Sequence, residues 1–156
     1  MYCIYKNRKY KAKIRNKMIL ITSKIKQDDF NNYIDVLGKE HSDLFMKEVD
    51  FKEVEVIYIE EIEICFKGIY FQLFPSAITQ ENVAKDRFIL FTSSEKLAKE
   101  YKFEKKEQFV FTKNISKEQI EMIKIIQKPI KEFEDYGIKE IIIEKQDIDE
   151  WLLSLC

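Results

Sequence analysis

Glycine and proline are scarce in this chain, three and two in 156 residues, and there is a single histidine. Three glycines cannot build the Gly-rich loops that cradle phosphates, and neither GxxxxGK[ST] nor GxGxxG occurs. The lone His41 sits in the polar stretch "GKEHSD" with no serine or cysteine elbow beside it. It therefore reads as a solvated loop residue rather than the base of a nucleophilic triad. Cys3, Cys65 and Cys156 are odd in number and lack CxxC spacing, which argues against a zinc site or a disulfide framework and fits free thiols in a reducing cytosol. No apolar run approaches the roughly 18–20 residues of a membrane span. The opening "MYCIYKNRKY" has no apolar core of a signal peptide. The expectation is a cytoplasmic protein with no membrane association, metal or cofactor.

What is present is a globular composition: 46% of residues are hydrophobic and 13% aromatic, enough to fill the core of one domain over 1–156. Charge nearly cancels overall, at −1, but not along the chain. Residues 1–27 carry nine Lys/Arg and no acid. Residues 40–63 carry nine acids against Lys47 and Lys52.

An internal repeat organises the sequence. "MILITS" (18–23) matches "FILFTS" (88–93), "KEVDFKEVEVI" (47–57) matches "KNISKEQIEMI" (113–123), and "IYKNRKY" (4–10) matches "CFKGIYF" (65–71). The matches keep one order, which points to a duplicated unit over about 2–60 and 62–127, with an extension over 128–156. Each unit reads as follows. Tyr10, Ala12 and Ile14 alternate with Lys11, Lys13 and Arg15 as in a half-buried strand. Asn7 and Gly68 suit a tight hairpin turn, and the ILxTS runs suit central strands. Phe30, Tyr33 and Leu37 form a helical stripe that Gly38 would end, and Leu97 and Tyr101 form another behind Ser94. Strands near Phe45–Val49 and Phe109–Thr112 follow. Asp50 with Glu53, and Ser116 with Gln119, have the shape of a helix N-cap with its N3 partner. On that ground Phe51–Glu60 is expected to be helical, although "EVEVIYIE" is strand by propensity. "IKEIIIE" and "IDEWLLSL" then give a C-terminal strand and helix. The expected fold is α+β: two tandem hairpin-strand-helix-strand-helix repeats sharing one core, plus that strand and helix.

Catalytic patterns are thin. Glu61 and Glu63 would share a strand face, but the E-x-K pairs at Glu100/Lys102 and Glu104/Lys106 are expected on a helix end and a loop. A solvated acidic face outweighs a metal-dependent hydrolase, and no enzyme is read here. The basic run Lys6–Lys17 is expected to pair with the acidic block, which the sequence pI near 6.0 favours over a nucleic-acid face.

The "(Y/F)K(N/G)" hairpin, the "ILxTS" strand and the "K-x-V/I-x-x-x-x-V/I-E-x-I" unit resemble the small cytosolic immunity proteins of bacterial polymorphic toxin systems. The resemblance covers about 2–127. It departs at Asn7, where glycine is usual, and in the tail from about 128. It implies a protein that binds and blocks a cognate toxin. Charge alone nominates Glu53, Glu60, Glu61 and Glu63 as the partner-binding face, standing in for phosphates if the toxin is a nuclease. The alternative is a nucleic-acid-associated regulator using the basic N-terminal hairpin.

Overall fold

The computed structural model describes residues 1–155; Cys156 lies outside the described residues. The chain divides into two compact units, residues 1–60 with 128–138, and residues 61–127 with 139–156. Strands account for half of the residues, and no helix among the described residues is longer than eight.

The first unit contains β1 (Tyr2–Tyr5), β2 (Arg8–Arg15), β3 (Met18–Ser23), β4 (Asn31–Ile34), β5 (Glu40–Val49) and residues 56–60 of β6 (Val56–Phe66). They pair antiparallel in the order β4-β5-β3-β2-β1-β6. Two-residue turns at Lys6-Asn7 and Asn16-Lys17 join the first three strands, with φ of 48° and 61°, then 51° and 62°. Positive φ at both central residues matches the strands' right-handed twist, so these turns fix the register without a glycine. The core gathers Cys3, Tyr5, Tyr10, Ala12, Ile19, Ile21, Val49 and Ile57, with Phe30 over it.

The second unit contains residues 61–66 of β6, β7 (Ile69–Leu73), α1 (Gln80–Ala84), β8 (Phe88–Thr92), α2 (Glu95–Glu100), β9 (Glu104–Glu107), β10 (Val110–Ile115), β11 (Met122–Pro129, of which 122–127 lie in this unit), β12 (Lys139–Glu144) and α3 (Ile148–Leu155). Its strand order is β9-β10-β8-β7-β6-β11, with β12 beside β11. The succession is the same as in the first unit. Ile62, Ile64, Phe66, Phe71, Leu90 and Ile123 form its core, covered by Trp151 and Leu152 of α3.

The α+β expectation is corrected by these elements: the protein is mostly antiparallel sheet, and each unit has a core of its own. The helix expected over Phe51–Glu60 is a 3-10 turn at Phe51–Glu53 followed by β6. Its counterpart is a 3-10 turn at Lys117–Gln119 followed by β11. Both capping boxes form: Glu53 Oε2 accepts from Asp50 N at 2.7 Å, and Gln119 Oε1 accepts from Ser116 N at 2.9 Å. A cap satisfies the first free N–H groups but does not propagate a helix, and the β-branched runs behind it carry the chain into strand. The Phe30–Leu37 stripe is likewise not helical. Phe30 enters the core, Tyr33 lies on β4, and Gly38 (φ 81°) sits in the β4–β5 turn rather than behind a helix.

Candidate functional site

The site grows out of β2. Its period of two sends Tyr10 and Ala12 into the core and leaves Lys9, Lys11, Lys13 and Arg15 exposed. Register then sets their neighbours: Tyr2 of β1 and Thr22 of β3 lie opposite Lys11, and Leu20 lies opposite Lys13. These residues line an open groove of about 1310 Å³, walled by Tyr33 and Leu44 of the β4–β5 hairpin and by Lys24 and Ile25 beyond β3. Arg8, Lys9, Lys11, Lys13 and Lys24 line it, and no carboxylate does.

One of these cations is engaged. Lys9 Nζ donates to Glu60 Oε1 and lies 4.3 Å from the centre of the Tyr2 ring. Tyr2 stacks on Tyr58 with centroids 6.0 Å apart and planes at 26°. Burial, then the Glu60 charge, raise the Tyr2 phenol above its ordinary pKa. Arg8, Lys11, Lys13 and Lys24 form no ion pair with a described residue. The expected neutralisation of the basic run by the acidic block thus reduces, within this groove, to Lys9 with Glu60.

The four nominated carboxylates do not lie on one helix. Glu53 and Glu60 belong to the first unit, Glu61 and Glu63 to the second. Glu53 is used by the capping box and Glu60 by Lys9. Glu61 and Glu63 are half-buried on β6, Glu63 opposite Gln72 of β7. Among the described residues no group of three or more His, Cys, Asp or Glu is placed to hold a metal ion. No helix among them is long and apolar enough to cross a membrane.

His41 lies on β5 rather than in a loop, its Nε2 3.0 Å from Asp35 Oδ2 and its ring 5.7 Å from Tyr33. Asp35 also accepts from the N–H groups of Leu37 and Lys39, each at 2.9 Å. The His41 bond first, and the Lys39 N–H next, hold the Asp35 carboxyl below its ordinary pKa. The turn so braced presents Val36 and Leu37 to solvent, 97% and 90% exposed.

Sequence reasoning found the cation ladder but not the groove. Its wall residues Tyr33 and Leu44 come from residues 31–49, whose first part reads as helix in the sequence, and Arg8 and Lys24 add cations that no periodicity marks. No curated protein and no solved structure matches the chain. A family model described as Uncharacterised conserved protein UCP033725 matches residues 1–132, and the chain belongs to that family.

Proposed function

We propose that the protein acts by binding, and that the groove of the first unit holds a polyanionic partner. The observation that carries this reading is the lining: five cations, one of them neutralised by Glu60, and no carboxylate. Cations aligned on one strand repel each other, and a bound polyanion relieves that repulsion while releasing its own counterions. In a chain of near-zero net charge the field of such a groove is local and directs a partner to it. Retention on heparin at low salt tests the reading. Lys11→Glu with Lys13→Glu and Arg15→Glu should abolish retention while leaving the circular dichroism unchanged. A wild-type protein that flows through at low salt removes the proposal.

The toxin-neutralising reading keeps a place because of a different feature, the β4–β5 turn. A hydrogen-bonded turn holding two apolar side chains in water suits insertion into a partner's pocket, where their burial would favour association. Under it the protein works in the cytoplasm and blocks a cognate toxin. Co-expression should protect cells and yield a co-purifying complex; toxicity unchanged by this protein refutes it.

A further inference from the structure

We infer that β12 is a docking edge for an extended segment of another protein, one that carries apolar residues between two basic ones and adds to the second unit as a further antiparallel strand. This site is separate from the groove and does not depend on it.

β12 pairs with β11 along one side, its six residues opposite 122–127 with no break in register. No strand among the described residues pairs with its other side. Along that side every second residue turns an N–H and a C=O outward, a row that an added strand satisfies.

The other edges are blunted by devices that discourage pairing. β4, an edge of the first unit, has four residues and a shift of register between Asn32 and Tyr33. β9, at the opposite end of the second unit's strand order, reads EKKE, every residue charged, and its pairing with β10 also shifts. β12 has neither device. It holds three consecutive isoleucines, of which Ile141 and Ile142, on opposite faces, are 42% and 43% exposed.

Charge selects the occupant. Glu140, Ile142 and Glu144 alternate on one face. Both carboxylates are exposed, and neither forms an ion pair with a described residue. A strand with a basic residue opposite each glutamate and an apolar one opposite Ile142 complements this face, while its backbone completes the ladder. A second copy of β12 does not. Antiparallel pairing about Ile142 sets Glu140 against the second copy's Glu144, and pairing about Ile141 sets Glu140 and Lys139 against isoleucines.

Fluorescence anisotropy with three labelled peptides tests this, their central residues RVIVRE, EVIVEK and RVPPRE. The basic peptide should bind about tenfold or more tighter than the acidic one, because two cross-strand pairs change from attraction to repulsion. The proline peptide should not bind, since two consecutive prolines remove an N–H that faces β12 whichever way the strand sits. Glu140→Lys with Glu144→Lys should reverse the order of the first two peptides and leave the circular dichroism unchanged. Hydrogen exchange should slow at alternate amides of β12 when the basic peptide binds. A proline peptide that binds as tightly as the basic one, an order that the double substitution does not reverse, unchanged exchange at β12, or binding of none of the peptides overturns the inference.

Discussion

Raising the pH through the alkaline range should destabilise this protein through Cys3, and the size of the effect follows from its position. Cys3 is fully buried in the first unit's core, on β1 opposite Tyr10 of β2 and Ile57 of β6. Burial penalises the thiolate and pushes the thiol from 9.0 up to about 11. In the unfolded chain the same group ionises near its ordinary value. Between those two values the unfolded state holds fewer protons than the folded one, so stability falls as pH rises. The contribution is fully present below about pH 9 and lost as pH climbs through about 11. A shift of that size corresponds to about 2–3 kcal/mol. Urea unfolding of the wild type and of Cys3→Ala, from about pH 8 to about pH 11.5, isolates the contribution of the Cys3 thiol. Cys3→Ala should begin about 1 kcal/mol less stable and then lose about 2–3 kcal/mol less over the alkaline range. Ionisation of Cys65 and Tyr2, both raised chiefly by burial, is common to both proteins and cancels in the comparison, as does the part of the Tyr58 shift that burial causes; only the smaller part due to the Cys3 thiolate itself differs. Parallel curves would refute the reasoning.

Asp50→Ala should cost about 1 kcal/mol, read as a lower urea midpoint, because Asp50 accepts the Lys52 N–H at 2.9 Å at the entry to β6. Ile123→Ala should cost about 2–5 kcal/mol, since Ile123 is fully buried in the second unit's core. Hydrogen exchange on the strands of that unit would show the loss. Val36→Asp with Leu37→Asp should stay within about 0.5 kcal/mol of wild type in a thermal melt and, under the toxin-neutralising proposal, abolish capture of the toxin. Undiminished capture would remove the turn from the interface.

Period-two alternation made β2 legible, because Tyr10 and Ala12 against Lys9, Lys11 and Lys13 leave one reading for a strand with a core on one side. The apolar runs Met18–Ser23 and Phe88–Thr92 are strands for the same reason that they read as such. α2 was legible through its cap, Ser94, whose Oγ accepts the Leu97 N–H at 3.3 Å. What failed was the inference from cap to helix. The Asp50–Glu53 and Ser116–Gln119 pairs satisfy N–H groups of a turn equally well when the next residues are β-branched, and a three-residue spacing such as Ile120 to Ile123 also arises across a turn and strand. The β4–β5 hairpin was hidden by a coincidental helical spacing and by a glycine that serves a turn as well as a helix end. With the hairpin hidden, so was the groove. The acidic site was read from charge alone, and charge does not tell a capping glutamate such as Glu53 from a free one.

Unpaired cations of the first-unit groove are proposed to hold a polyanion, and the salt dependence of binding to a single-stranded oligonucleotide probe measures how many take part. Glu60 occupies Lys9 and leaves four lining cations, so log K against log salt should fall with a slope of about −2.8. Lys11→Ala with Lys13→Ala should halve the slope to about −1.4, and Glu60→Gln, by freeing Lys9, should steepen it to about −3.5. A slope near zero, or one that none of these substitutions moves, would contradict the claim.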